Sequence, residues 1–361
     1  MGTLIIAEAG VNHNGSEKLA FELVDAAVAA GVDIVKFQTF KADNLVTVNA
    51  KQADYQVNNT QKVQSQHQML KELELSFDSH LAVKSYCEQQ GVEYLSTAFD
   101  SQSLSFLIDT MKLTRLKIPS GEITNAPFVL EHAKSGCDLI VSTGMATIEE
   151  IELTLGVIAF GFLNKKSRNK PSLSACKNAY QSLQGQQLLK EKVTLLHCTT
   201  EYPAPFNEVN LNAMTTLREF FKLPVGYSDH TAGIIIPIAA AAQKASVIEK
   251  HFTLSRQMEG PDHKASIEPN ELTQMVKDIR TVELALGSFD KQPTASELKN
   301  KAIARKSIVA RVPILKGEKL TPENLSIMRP GNGLSPVNYW QVIDTKAIKD
   351  FESGDLIELD D

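Results

Sequence analysis

The chain has 361 residues, 43% of them apolar, and a formal net charge of −6 with no basic run. That is enough sequence for two globular domains, and the charge argues against a nucleic-acid partner. No apolar stretch approaches a membrane span, no signal peptide opens the chain, and the four cysteines (Cys87, Cys137, Cys176, Cys198) lack CxxC spacing, so the expectation is a cytoplasmic protein with reduced thiols and no membrane partner.

Leu4–Glu8 is apolar and reads as a first strand, followed by the turn Ala-Gly-Val-Asn-His-Asn-Gly-Ser. Ser16 fits the N-cap of a helix over 17–30, and Gly31 its end. Asp33–Phe40 is a second strand carrying Lys36 and Gln38. A helix over 77–90 leads to strand Val92–Phe99, with Ser96 and Thr97. A helix over 101–111 leads to strand Arg115–Gly121, with Lys117 and Ser120, and one over 126–135 to Asp138–Gly144, with Ser142. A helix over 147–160 leads, after an interruption, to Lys192–Thr199. A helix over 210–221 leads to Pro224–His230, one over 233–245 leads to Ser246–Phe252, and a last helix covers 268–286. Eight strands, each followed by a helix, predict an α/β protein whose residues 1–287 form a (β/α)8 TIM barrel. A doubly wound open sheet fits less well, since no GxGxxG follows the first strand.

Two insertions interrupt the rhythm. Residues 41–74, polar and including Tyr55 and the Gln-rich run 61–68, follow the second strand at its C-terminal end, where long loops serve as lids. Residues 163–191 follow a helix and read as decoration on the opposite face. Residues 288–303 read as a linker, and 304–361 change to short strands and turns, a small mixed domain with a modest core.

His230 and His251 end consecutive strands separated by one helix-length stretch. Strand, helix, strand makes the two strands parallel, so both imidazoles emerge at the C-terminal edge, where βα proteins keep their chemistry. Two neutral imidazoles there suit a divalent transition metal; the alternative is two unrelated side chains bonded locally. Lys36 and Lys117 interrupt otherwise apolar strands, and a buried lysine needs an anion. With the strand-end hydroxyls of Ser96, Thr97, Ser120, Ser142, Thr199, Thr200 and Ser228 they form a candidate phosphate pocket. Pairing with Glu8 or Glu122, or an aldolase-type Schiff base, remains open. Glu8, Glu122, Asp229 and Asp262 add carboxylates at the same edge. Cys198 adjoins His197, but neighbouring strand residues point to opposite faces, which makes a nucleophilic pair poor.

Ten motifs extend the reading over nearly the whole chain. They are Ile-Ala-Glu-Ala-Gly-Val-Asn-His-Asn-Gly (6–15), Val-Lys-Phe-Gln-Thr-Phe-Lys-Ala (35–42), Leu-Ser-Thr-Ala-Phe-Asp (95–100), Lys-Ile-Pro-Ser-Gly-Glu-Ile-Thr-Asn (117–125) and Ser-Thr-Gly-Met (142–145). Further on come Leu-His-Cys-Thr-Thr-Glu-Tyr-Pro (196–203), Gly-Tyr-Ser-Asp-His-Thr (226–231), Ile-Glu-Lys-His-Phe-Thr (248–253), Gly-Pro-Asp-His (260–263) and Arg-Pro-Gly-Asn-Gly (329–333). On these the chain resembles the bacterial sialic acid synthases, in which a barrel precedes a small antifreeze-like (SAF) domain.

The resemblance implies condensation of phosphoenolpyruvate with an N-acylated mannosamine-type sugar, giving a nonulosonic acid and phosphate. It implies a divalent ion on His230 and His251, commonly manganese, with magnesium or cobalt as alternatives. Lys36 and Lys117, with Thr97, Ser120, Ser142 and Ser228, match positions that hold phosphoenolpyruvate. Glu8, Gln38, Tyr202 and Asp262 match positions at the sugar or metal. Glu122 matches a catalytic position, acting on a proton or orienting a lysine. The Thr199–Thr200 pair departs from the family pattern, which leaves a phosphate contact from Thr200 open. Arg329 matches an arginine that reaches the sugar N-acyl group in a partner subunit, so a domain-swapped homodimer is expected. The sugar is N-acetylmannosamine, giving N-acetylneuraminate, or 2,4-diacetamido-2,4,6-trideoxymannose, giving N,N'-diacetyllegionaminate. A synthase making an eight-carbon keto acid would need a second phosphate site, and a barrel hydrolase a fuller metal cluster. A tail that binds ice or glycan would leave the catalytic edge unexplained.

Overall fold

The computed structural model describes residues 2–60, 63–165, 167 and 169–360, without the side chains of Asp54, Tyr55 and Asn58. Gln61 and Lys62 of the Gln-rich run lie outside the described residues. The chain divides into two compact units, 1–287 and 288–361.

The first unit is a closed barrel of eight parallel strands in sequence order, β8 returning to pair with β1. In chain order it contains β1 (Leu4–Gly10), α1 (Glu17–Ala30), β2 (Ile34–Thr39), the short helices α2 (Ala42–Leu45), α3 (Asp54–Thr60) and α4 (Gln66–Leu73), α5 (Phe77–Gln90), β3 (Glu93–Ala98), α6 (Ser101–Ser105) and β4 (Arg115–Ile118). Then come α7 (Ala126–Ser135), β5 (Asp138–Ser142), α8 (Ile148–Leu163), α9 (Leu173–Gln181), α10 (Leu183–Lys192), β6 (Val193–His197), α11 (Ala213–Phe221), β7 (Val225–Asp229), α12 (Ile235–Ala242), β8 (Val247–His251) and α13 (Pro269–Leu286). Caps set several helix ends where the sequence places them: Ser16 Oγ accepts from Leu19 N, and Gly31 takes φ 77° in the left-handed region.

Strand periodicity sorts the interior into layers. Ile6, Ile34, Leu95, Ile140, Leu196 and Val247 form an apolar plug inside the barrel. Two residues further along each strand the same face reaches Glu8, Lys36, Thr97, Ser142, Cys198 and Glu249, all buried. The residues between, such as Phe37, Val141, Tyr227 and Ile248, face outward into the core beneath the helices. The plug thus carries the packing of the interior, and the layer above it carries the polar groups.

Some boundaries differ from expectation. β4 stops at Ile118 because Pro119 cannot donate to a ladder, and Ser120–Glu122 turns into a 3-10 helix. The helix expected over 101–111 is α-helical only to Ser105 and continues as a π-turn over Phe106–Thr110. The 41–74 insertion is not extended loop: α2, α3 and α4 are anchored by Met69 and Leu73 packing on Val11 and Phe40. The 163–191 insertion is more than decoration, since α9 and α10 bury Cys176, Ala179 and Leu189 against α8. Gly156 of α8 allows this approach, as a Cβ there would sit 3.1 Å from Cys176 O.

The second unit opens with a helix, α14 (Ala295–Ala304), inside the expected linker. Thr294 and Glu297 cap it reciprocally. An antiparallel pair follows, β9 (Ser307–Ala310) with β10 (Leu325–Met328), and then the short α15 (Tyr339–Val342). Its core is small, built on Ile308, Ile314, Leu320, Leu325, Val342 and Phe351.

Candidate active site

The polar layer floors a cavity of about 380 Å³ at the C-terminal end of the strands, roofed by the 41–74 insertion. Lys36, Gln38, Thr97, Lys117, Ser120, Glu122, Ser142, Thr200, Tyr202, His230, His251 and Asp262 all reach it. Glu8 and Ser228 lie buried just beneath, bonded to cavity residues. Arg329 lies in the second unit, where its Nε donates to Ala304 O at 3.0 Å.

The two lysines sit in different electrostatic surroundings. Lys36 Nζ lies 2.9 Å from Glu8 Oε2 and 3.4 Å from Glu249 Oε2, and donates to Thr97 Oγ1 at 3.2 Å. Burial alone would depress its pKa, but Glu249 and Glu8 hold it above the usual lysine range. Lys117 Nζ donates to Ser142 Oγ at 2.6 Å and to Ile118 O at 3.1 Å. Among the described residues it forms no ion pair with a carboxylate, and burial holds its pKa below the ordinary value. Desolvation favours the neutral form of such a group, so an arriving anion restores its charge. The carboxylates also divide: burial pushes Glu8 up, whereas Glu249 is held low by Lys36 and Lys117 despite its own burial.

Glu249 went unassigned in the sequence, although it bridges the site. Its Oε1 accepts from Ser228 Oγ at 2.9 Å while Oε2 faces Lys36. The available signal was the strand period, because a residue two before His251 shares its inward face. Glu122 behaves differently from expectation. It accepts from Asn125 Nδ2 at 2.6 Å, and no ion pair joins it to Lys36 or Lys117 among the described residues. Its exposed turn beyond Pro119 places it at the rim.

His230 and His251 stand with ring centroids 5.6 Å apart, and the Tyr202 ring lies 4.2 Å from the first and 5.5 Å from the second. His230 Nδ1 donates to Thr199 O at 2.6 Å, which fixes the tautomer and leaves Nε2 a lone pair. Among the described residues His251 Nδ1 is buried without a hydrogen-bond partner. Burial lowers the pKa of both rings, so both are neutral. Two neutral imidazoles, one with an unsatisfied nitrogen, are a donor set that fits a divalent transition ion. Among the described residues no group of three or more His, Cys, Asp and Glu side chains gathers as a metal cage. The remaining coordination would fall to water and substrate.

Asp262 borders the same side, its carboxyl pushed up to about 6 by burial. Ser120 Oγ accepts from Gly144 N at 3.0 Å and lies 3.2 Å from Cys198 Sγ. Thr200 converges on the same spot, where a Cβ on Gly144 would meet its Oγ1 at 2.4 Å. His197 points the other way, its Nε2 bonded to Val209 O at 2.7 Å, so it does not activate Cys198. Burial raises the Cys198 thiol, and the Cys–His pair is no nucleophile.

The chain is similar to known proteins over nearly its whole length. The pattern of the NeuB family matches residues 23–291, and that of the SAF domain residues 305–361. The N,N'-diacetyllegionaminic acid synthase of Campylobacter jejuni is 46% identical, over 98% of either chain. The protein of the same description from Legionella pneumophila is 42% identical, over 98% of this chain and 93% of that one. Among solved structures, the N-acetylneuraminic acid synthetase of Leptospira borgpetersenii in complex with citrate is 30% identical, with a TM-score of 0.66 over 83% of this chain and 90% of that one.

Proposed function

The chain belongs to the NeuB family, and on that premise we propose that it condenses phosphoenolpyruvate with 2,4-diacetamido-2,4,6-trideoxymannose to give N,N'-diacetyllegionaminate and phosphate. The observation that carries the phosphoenolpyruvate half is Lys117, a buried cation that donates to the Ser142 hydroxyl and, among the described residues, forms no ion pair with a carboxylate. The choice of sugar rests on the two relatives described as diacetyllegionaminic acid synthases. A second reading, N-acetylmannosamine going to N-acetylneuraminate, is favoured by the likeness to the Leptospira structure, at lower identity.

The residues divide the work by charge. Lys117, with Ser142, Ser120 and Thr97, holds the phosphoenolpyruvate anion, and Thr200 stands at its edge. Lys36 spans the space between that anion and the Glu8–Glu249 pair. Fixing both substrates turns a bimolecular encounter into a local one. C3 of phosphoenolpyruvate then bonds to the sugar aldehyde carbon, and positive charge develops at C2. Glu8, buried at the cavity floor and paired with Lys36, is the carboxylate that stabilises the charge. Water adds at C2 and phosphate leaves. Asp262, Gln38 and Tyr202 orient the sugar, and Glu122 stands at the rim where a proton exchanges with solvent. His230 and His251 would hold a divalent ion, manganese first and magnesium or cobalt as alternatives, and when bound it would supply Lewis acidity toward the aldehyde oxygen.

The assembly is proposed as a domain-swapped homodimer in which Arg329 of one copy caps the sugar site of the other. Exposed apolar side chains of the second unit support a second copy as partner: Ile303 is 69% exposed, Val337 79% and Trp340 84%. We place the protein in the cytoplasm, on its four unpaired cysteines. No described helix is long and apolar enough to cross a membrane. Phosphate release with phosphoenolpyruvate and each sugar in turn tests the reading. Release with the trideoxy sugar is expected, and no release with either sugar would overturn it.

A further inference from the structure

The cavity is two-toned. Its floor is the polar layer, but the wall contributed by the 41–74 insertion is largely apolar: Leu45, Val46 and Leu70 line it, each half-buried, with Gln56 and Gln66 as its polar members. Met69 and Leu73 back them, packed on Val11 and Phe40. The wall is held in place by its own contacts. Asn59 Nδ2 donates to Pro261 O at 2.6 Å, tying the insertion to the segment after β8. Ala42 N donates to Glu74 Oε1 at 2.7 Å, closing its base. Gln56 also reaches the cavity, but its Oε1 is engaged by Ala53 N.

Half-buried aliphatic side chains facing a cavity gain from being covered, and the gain scales with the apolar area that covers them. Phosphoenolpyruvate offers little such area and is drawn to the floor. The covering surface must come from the other substrate. The two candidate sugars differ here: the trideoxy sugar carries a methyl at C6 and a second acetamido methyl at C4, where N-acetylmannosamine carries hydroxyls. A hydroxyl against Leu45, Val46 and Leu70 would lose water without gaining a partner.

We propose that Leu45, Val46 and Leu70 form a specificity wall that reads the methyl groups of a 6-deoxy N-acylated sugar and disfavours its 6-hydroxy counterpart. This rests on the synthase reading above. Discrimination by a hydrophobic wall against an added hydroxyl is limited, to roughly ten- to hundred-fold.

The test measures phosphate release by the metal-loaded full chain, with phosphoenolpyruvate and each sugar, for wild type, Val46→Thr and Leu70→Asn. Val46→Thr keeps the shape of the side chain and so preserves the fold. Wild type is expected to favour the trideoxy sugar in kcat/KM by about ten-fold or more. Each variant should cut that ratio several-fold by raising KM for the trideoxy sugar, with KM for phosphoenolpyruvate unchanged and, for Val46→Thr, the melting temperature unchanged as well. A wild type that prefers N-acetylmannosamine, or an unchanged ratio in both variants, overturns the wall and leaves the synthase reading standing. No release with either sugar overturns the synthase reading, and the wall with it.

Discussion

Lys250 Nζ lies 2.5 Å from Asp229 Oδ2, with neither side chain exposed, one residue ahead of each of the two histidines at the site. The pair faces away from the cavity, because alternation turns Lys250 outward where Glu249 and His251 turn inward. Tyr227 Oη and Thr231 N donate to Asp229 Oδ1, both at 3.1 Å, and Lys250 also donates to Thr231 O. A fully bonded ion pair therefore links the ends of β7 and β8 behind His230 and His251.

Removing one partner of such a pair strands a buried charge. Lys250→Met should lower stability by about 3–5 kcal/mol, read from urea unfolding, and weaken manganese retention after gel filtration. Lys250→Met combined with Asp229→Leu should recover part of the stability. A loss under about 1 kcal/mol in the single variant, within the range of an exposed pair, would show that the link holds nothing.

Lys117→Met removes a desolvated cation that forms no ion pair among the described residues, so the fold should lose little. KM for phosphoenolpyruvate should rise by ten- to a hundred-fold or more, since hydrogen bonds to charged groups contribute about 1.5–3 kcal/mol each. Borohydride should trap no adduct on Lys117 or Lys36. A stable adduct would mean Schiff-base chemistry.

His230→Ala and His251→Ala should each abolish turnover while the circular dichroism spectrum and melting profile stay close to wild type. Chelator dialysis should do the same to the wild type, with manganese restoring activity. Full turnover in metal-free protein would remove the two histidines from the role of ligands.

His132, buried on α7, gives a test of pH dependence far from the cavity. Its Nδ1 donates to Phe128 O at 2.9 Å, its Nε2 has no partner, and burial lowers its pKa to about 4. The unfolded chain binds the proton first as pH falls. The stability is therefore fully present above about 6.5 and drains away as pH drops toward 4, by on the order of 3 kcal/mol. Urea unfolding at pH 7 and pH 4.5 should show a smaller fall for His132→Gln than for wild type. An equal fall in both would exclude His132 as a source.

Mixing Arg329→Ala chains with His251→Ala chains tests the swapped assembly. With swapping, one site of the mixed dimer carries both lesions and the other none, so activity partly returns. Each chain serving its own barrel would leave one lesion in every site, and mixing would restore nothing.

The barrel was legible because each strand announces itself as a short apolar run after a capped helix, and because period-two alternation puts Lys36, Lys117, Ser142 and His251 on one inner face. Glu249 and Lys250 were less legible for a reason that alternation also supplies: a charged pair at a strand end can face cavity or core, and only the register of β7 against β8 tells which. The end of β4 was missed although Pro119, followed by Ser120 and Gly121, carries turn chemistry that ends a strand. The roof was hidden by its polar composition, since the few apolar residues that anchor 41–74 do so on partners as distant in sequence as Val11.

The first stretch of the second unit is part string and part rod. Residues 288–294 are irregular and Ala295–Ala304 is helix. At about 3.3 Å per extended residue and 1.5 Å per helical one, it spans roughly 38 Å at most rather than the 56 Å or so of an extended strand of that length. The rod also has phase. Arg329 Nε and Gly331 N both bond to carbonyls in its last turn, Ala304 O and Ala302 O. Each residue added within α14 would turn that loop by about 100° about the helix axis, whereas residues added to 288–294 would change only slack. The last turn of α14 thus fixes the arginine loop to its own helix axis.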